Sequence, residues 1–206
     1  MLNTELTEYF QANKDKIFDL NWLTAAIRPH CRMKHTGWRG SRMRVIQHPV
    51  EFASFLILLA ERNTERYIEV GTSSGGSFYI ADSYLRVAAP AYTGAIGFDR
   101  VDKLRNWNAY QQKYPLTQFV RCNSRDIVLG KSKTGAAFID ARHIDKWVLH
   151  DFEKVRQNVN LVGFHDIVRG TVPLAWEKIK EGRKFWEFVQ RDTPIDAWCG
   201  IGVVEV

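Results

Sequence analysis

Three cysteines, Cys31, Cys122 and Cys199, are all that the 206 residues contain. They are far apart and odd in number, which excludes a CxxC metal knuckle and a complete disulfide framework, and reduced thiols in a cytoplasmic protein are the expectation. Long apolar runs are missing too. The longest, Phe52 to Ala60, is less than half of the ~20 residues that a membrane-spanning helix needs. The N-terminus carries Glu5 and Glu8 in its first turns and has no uninterrupted apolar stretch of the signal-peptide kind, so a soluble, intracellular chain with no membrane partner is expected. No internal repeat, low-complexity tract or Pro/Gly/Ser-rich linker divides the sequence.

What is present fits one globular domain with a sizeable core: 45% of the residues are hydrophobic and 13% aromatic. The 29 basic residues exceed the 23 acidic ones, for a formal charge of +6. That excess is local. The stretch from Arg28 to Arg44, RPHCRMKHTGWRGSRMR, holds six Lys or Arg, two His and no acidic residue, and the rest of the chain is charge-balanced. Read alone, such a stretch suits an anionic small molecule, a nucleic-acid surface, or a solvated loop.

Residues 1–45 form an N-terminal appendage with one helix expected over Leu6 to Phe18, followed by the basic stretch, a lid candidate. Residues 46–206 alternate regularly. Helices are expected over Gln47 to Arg62, Ser77 to about Val87, Lys103 to Tyr114, a segment bearing Ile144, Trp147, Val148, Phe152 and Val155 on one face, and Val172 to Val189. Strands are expected at Tyr67 to Val70, Tyr92 to Phe98, Gln118 to Cys122, Ala136 to Ile139, Leu161 to Phe164 and Gly202 to Val206. This alternation indicates an α/β fold, a Rossmann-like doubly wound, mostly parallel sheet covered on both faces.

Ligands of such sheets sit beyond the carboxyl ends of the strands. The sequence places Glu69 inside the first strand with Gly71 just after it, and Asp99 after the second. Asn123 and Ser124 follow the third, Asp140 the fourth, and His165 with Asp166 the fifth. The turn Gly71-Thr-Ser-Ser-Gly75-Gly76 allows a tight exit from the strand and close backbone approach, with helix N–H groups opening at Ser77. Its GxxxGG spacing is neither the GxGxxG of nicotinamide proteins nor a P-loop. An acidic residue before the first Gly suits a cationic ligand, and Asp99 is placed to accept both hydroxyls of a ribose. Together a ribose and an amino-acid cation suggest S-adenosylmethionine.

The run Gln47-x-Pro49-x-Glu51, the segment YIEVGTSSGGS, the strand-end Asp99, FIDARH from Phe138 to His143 and FHDI from Phe164 to Ile167 resemble class I S-adenosylmethionine-dependent methyltransferases. The similarity covers about residues 45 to 206 and is nearest to small-molecule and sugar O-methyltransferases grouped with cephalosporin-hydroxylase-like proteins. It implies that Glu69, Gly71, Thr72, Gly75 and Ser77 lie along the methionine part of the cofactor, Asp99 on its ribose, and Asn123 and Ser124 beside the adenine. It also implies a divalent ion, Mg²⁺ in similar enzymes, held by Asp140, His165 and Asp166. His165 departs from that pattern, since an imidazole suits a softer ion such as Mn²⁺, Fe²⁺ or Zn²⁺. Asn158-Val159-Asn160 stands where this branch has a Pro-Gly-Gly turn, and Asn can supply the positive φ that such a turn needs.

Asp140 and His143 are the candidate catalytic residues, His143 as a general base with a pKa near neutrality. A single His at a helix start is as readily a cap or a satisfied core residue. The expected activity is methyl transfer to a hydroxyl of a small, sugar-like or anionic substrate, with or without metal assistance. Arg28, Arg32, Lys34, Arg39 or Arg42 would meet the anion and Trp38 would stack on a ring. The alternative is a catalytically silent module of the same fold that holds nucleic acid or a protein partner; one Trp among the basic residues makes nucleic acid the weaker choice. Homo-oligomerisation is compatible with the sequence.

Overall fold

A computed structural model describes residues 3–31, 43–130, 133, 135–191 and 199–206. Its central strands are rich in apolar residues, with Glu69 the one charge inside them. β1 (Arg66–Val70), β4 (Ala136–Ile139) and β5 (Leu161–His165) are buried along nearly their whole length, as strands covered on both faces must be. β2 (Gly94–Asp99) and β3 (Gln118–Arg121) extend the sheet on one side, and β7 (Ile201–Glu205) and β6 (Phe185–Phe188) on the other. The order is β3-β2-β1-β4-β5-β7-β6; β7 runs antiparallel to both neighbours and the remaining pairs are parallel.

Side chains alternate across the sheet, so each strand feeds two cores. Tyr67, Phe138, Leu161 and Val203 point into one, built with helices α1 (Leu6–Gln11), α2 (Leu20–Ile27), α3 (Pro49–Glu61) and α4 (Gly76–Ala88). Ile68, Val70, Ile139, Val162 and Phe164 point into the other, beneath α6 (Asp145–Val155) and α7 (Val172–Lys180). A short helix, α5 (Trp107–Lys113), precedes β3.

Two expected elements differ. The helix expected over Leu6 to Phe18 stops at Gln11, passes through a 3-10 turn at Lys14–Lys16, and is followed by α2, which the sequence reading omitted. Its start signal was Asp19, whose carboxylate accepts the Trp22 N–H at 2.7 Å and so satisfies one of the free donors of the first turn. The helix expected over Val172 to Val189 ends at Lys180. Gly182, at φ +68°, reverses the chain, and Phe185–Phe188 pairs with β7 instead.

The N-terminal helices complete the layer over the sheet. α1 packs on α4, where Phe10 meets Tyr84 edge-on at 5.7 Å and the Tyr84 hydroxyl donates to the Ile17 carbonyl at 3.0 Å. The two ends of the basic stretch meet: Val45 N–H donates to the His30 carbonyl at 3.0 Å, and Cys31 and Val45 are buried. Arg28 lies exposed in a 3-10 turn; Arg32, Lys34, Trp38, Arg39 and Arg42 lie outside the described residues. The turn at Asn158-Val159-Asn160 forms without positive φ at either Asn; Gly135, at φ +94°, carries that conformation, and its carbonyl accepts the Asn160 N–H at 2.9 Å. Among the described residues no helix is long and apolar enough to cross a membrane.

Candidate active site

At the carboxyl edge the chain leaves β1 through Gly71, whose N–H donates to the Phe98 carbonyl at the end of β2 (2.8 Å). Gly71 has φ +98°, and a Cβ there would stand 2.4 Å from the Asp140 carbonyl, so both conformation and space require glycine. Ser73 N–H then donates to Asp99 Oδ2 at 2.8 Å, and Val101 N–H to Asp99 Oδ1 at 3.0 Å. Asp99 is thereby held rigidly at the strand end, with lone pairs left for a ligand.

A cleft of about 790 Å³ opens above this edge, across the switch point between β1 and β4. Of the residues expected at the site, Gly71, Asp99, Asn123, Ser124, Asp140, His143, His165 and Asp166 line it. Glu69, Thr72, Gly75 and Ser77 do not; all four are buried beneath. Glu69 is enclosed completely, its Oε2 accepting from the Tyr67 hydroxyl (2.7 Å) and its Oε1 from Ser77 (2.8 Å). Burial pushes its carboxyl up to about 8 against those two hydrogen bonds, with the charges of Asp140 and Asp99 adding to the rise. Gly75, at φ +86°, caps α4, and Gly76 packs so closely under the Met43 carbonyl that an added Cβ would stand 2.3 Å from it.

On the other side of the cleft two Asp–His contacts interlock. His143 Nδ1 lies 2.5 Å from Asp166 Oδ2, and its Nε2 lies 3.6 Å from Asp140 Oδ1. The hydrogen bond to Asp166 raises the His143 pKa, more than its partial burial lowers it. Beneath them His165, whose side chain is only 3% exposed, brings Nδ1 to 2.9 Å from Asp140 Oδ1. The approach is close but off-axis: neither ring nitrogen of His165 has an aligned hydrogen-bond partner, and Asp166 Oδ1 has none either. Burial is the largest single influence on His165 and disfavours its imidazolium, but the charges of Asp140 and Asp166 and the contacts with Asp140 and Cys199 together outweigh it and hold the pKa well above the ordinary value. Asp166 itself is at φ +63°, a left-handed conformation that non-glycine residues adopt at a cost of about 1 kcal/mol or more and that clusters at functional sites.

Several residues at the site were not singled out from the sequence as site residues. Gln47 Nε2 donates to Asp140 Oδ2 at 2.6 Å and fixes that carboxylate. Glu51, one turn further along, accepts the Gln190 N–H at 2.9 Å, and its buried Oε2 has no partner; burial pushes its carboxyl up to about 7. The Gln47-x-Pro49-x-Glu51 spacing was the available signal: Gln47 stands just before the N-cap His48 of α3 and Glu51 in its first turn. Trp147 lines the cleft with the Arg125 guanidinium 4.2 Å and the Arg142 guanidinium 5.3 Å from its ring centre, and Arg100 and Arg169 line it too. Cys199 completes the lining beside His165 and Asp166.

The donor set suits a divalent ion. Asp140, His143 and His165 bring one ligand atom each within 4.8 Å of one another, as do His165, Asp166 and Cys199. The orphaned nitrogens of His165 and the orphaned Asp166 Oδ1 are buried groups for which a coordinated cation would compensate the lost hydration.

No protein-family model matches the chain, and no curated protein matches it in sequence. Solved structures do match in fold. The O-methyltransferase TomG of Streptomyces achromogenes, involved in tomaymycin synthesis and solved with S-adenosylmethionine, is 15% identical over 91% of this chain and 88% of its own, with a TM-score of 0.57. A putative RNA methyltransferase of Pyrococcus horikoshii is 10% identical over 90% and 96%, with a TM-score of 0.53. The N-methyltransferase NodS of Bradyrhizobium japonicum is 10% identical over 74% and 92%, with a TM-score of 0.52. The seven-stranded sheet has the class I methyltransferase fold.

Proposed function

We propose that this chain is an S-adenosylmethionine-dependent methyltransferase acting on a hydroxyl of a small, sugar-like or anionic acceptor. The observation that carries the reading is that Asp99 and the Asp140–His143–Asp166 cluster face one cleft on a sheet of this fold. Asp99 would bind the ribose hydroxyls, Asn123 and Ser124 would border the adenine, and Gly71 would let the methionine part approach the backbone. Arg100, Arg125, Arg142 and Arg169 around the same cleft favour an anionic acceptor.

When bound, the cofactor supplies a methyl group on a positively charged sulfur. The protein's part is to hold the acceptor hydroxyl in line and remove its proton. Asp166, bonded to Nδ1, fixes the His143 tautomer that keeps its proton on Nδ1, leaving Nε2 free to accept the hydroxyl proton. The same contact stabilises the imidazolium that results. Asp140, held by Gln47, faces Nε2 and steadies the charge. Asp140, His165 and Asp166 would hold a divalent ion, which as a Lewis acid would acidify an acceptor hydroxyl.

Calorimetric binding of S-adenosylhomocysteine to the full chain tests the reading. Two hydrogen bonds to a charged group are at stake at Asp99, so Asp99→Ala should weaken binding by roughly 100-fold or more while leaving the chain folded, with a melting temperature lowered only by the loss of the Ser73 and Val101 hydrogen bonds. A wild-type chain that does not bind it sinks the proposal. Tight, steeply salt-dependent binding of nucleic acid, unchanged in Asp140→Asn, would favour the silent binding module.

A further inference from the structure

The side of the cleft formed by β5 and the start of β7 contains a thiol that the methyltransferase reading leaves without a role. Cys199 is 7% exposed and lines the cleft, and its Sγ, a His165 ring nitrogen and an Asp166 oxygen lie within 4.8 Å of one another. Ligands around a tetrahedral zinc ion stand about 3.3–3.8 Å apart, so donors at the outer limit of 4.8 Å would have to close in by about 1 Å.

We propose that His165, Asp166 and Cys199 form a thiolate-containing site for a borderline divalent ion of the Zn²⁺, Co²⁺ or Fe²⁺ type, not for Mg²⁺. Mg²⁺ demands near-octahedral oxygen ligands, whereas one imidazole, one carboxylate and one thiolate are the ligands that borderline ions select. The second, independent observation is His165: its side chain is 97% buried, yet neither ring nitrogen has an aligned hydrogen-bond partner. Asp166 Oδ1 is likewise orphaned, while Oδ2 is committed to His143, so one oxygen can bind the ion as the other orients the base. Two carboxylates and a thiol surround this ring, so a divalent ion that displaces the imidazolium proton still meets balancing negative charge. Binding would deprotonate Cys199 and the His165 imidazolium and release both protons to solvent. Three protein donors leave a fourth position open toward the cleft, the pattern of catalytic rather than structural zinc. Cys199 here takes the place that the metal-assisted methyltransferase reading gives to Asp140, which would then stand at the rim beside the ion.

The proposal rests on the metal-assisted reading of this cleft but not on methyl transfer, so the experiment omits the cofactor. Metal-free full chain is titrated with Co²⁺ and followed by absorption. The wild type should develop visible ligand-field bands together with a near-ultraviolet thiolate-to-cobalt charge-transfer band, which Zn²⁺ removes and a large excess of Mg²⁺ does not. Cys199→Ser should lose the charge-transfer band and weaken Zn²⁺ binding by at least roughly 10-fold, the lower end of what losing even an outer-sphere partner costs. His165→Ala should lose both sets of bands, and Cys122→Ser, at another position on the cleft wall, should lose neither. The proposal is overturned if no charge-transfer band forms, if it survives Cys199→Ser, or if Mg²⁺ competes as well as Zn²⁺. Should Cys199→Ser fail to fold, alkylation of the unmodified chain decides: Zn²⁺ must slow the reaction at Cys199 and leave that at Cys122 unchanged, and equal rates with and without Zn²⁺ at Cys199 overturn it. Failure here with intact S-adenosylhomocysteine binding removes the ion and leaves the methyltransferase reading standing.

Discussion

On the β1–β2 side of the cleft nearly every polar group has a partner. Glu69 bonds Tyr67 and Ser77, and Asp99 takes two backbone N–H groups. On the β4–β5 side His165 has two unaligned nitrogens, Asp166 has one orphaned oxygen and a left-handed backbone, and Glu51 has a free buried oxygen. The first side is nearly complete, with the Thr72 hydroxyl its one buried orphan among the described residues, and the second is held short of satisfaction at several groups. Unsatisfied buried groups cost stability, so they persist where something outside the chain completes them.

The largest test of this contrast is His143→Ala. His143 is half-exposed, so its removal should shift stability by less than about 1 kcal/mol, yet single-turnover methyl transfer should fall by roughly 10²- to 10⁴-fold, the usual share of a general base. Equal turnover in both proteins would take His143 out of the chemistry. Gly71→Val should act the opposite way, through the scaffold. Forcing a β-branched side chain into φ +98° and against the Asp140 carbonyl should destabilise by about 3 kcal/mol or more, read as a drop of roughly 10 °C in melting temperature.

The pH dependence of stability comes next. The Glu69 carboxyl titrates at about 8 in the folded chain against 4.5 ordinarily, so between those values the native state binds one more proton than the unfolded state. Stability therefore falls as pH rises through that window, by about 1.4 kcal/mol per unit for each proton so retained. Glu51, at about 7, contributes in the same direction over its lower part. Glu69→Gln should flatten the slope in urea titrations from pH 5 to 8; an unchanged slope would mean that Glu69 is ionised in the native state. Smallest is Arg125→Ala: its contact with Trp147 is exposed, and its loss should cost about 0.5–1 kcal/mol, measured in denaturant melts.

The central strands were legible because strands buried on both faces are rich in apolar and β-branched or aromatic residues, the enclosed Glu69 apart. Phe185–Phe188 was not, because Phe185, Trp186 and Phe188 follow α7 closely and extend its apolar pattern; Gly182 was the one local sign of the break. The strand-end residues Asp99, Asp140, His143, His165 and Asp166 were legible for a topological reason, since parallel strands bring all their carboxyl ends to one edge. The glycine turn was read as ligand-facing, while in the structure Met43 packs over Gly76, and Glu69 and Ser77 are closed off beneath.

Sequence alone, then, determined six of the seven strands, the edge that carries chemistry and the residues that the parallel strands deliver to it. Tertiary structure alone decided the neighbours supplied from elsewhere: Gln47 just ahead of α3 and Glu51 within it, the arginines around Trp147, and Cys199. The reason is the reversed direction of β7. An antiparallel strand brings its beginning beside its neighbour's end, so Ile201 pairs with His165 and the residues just before it reach the site. Nothing in the local pattern around Cys199 records which strand lies next to it, because sheet order is set by long-range packing rather than by residue spacing.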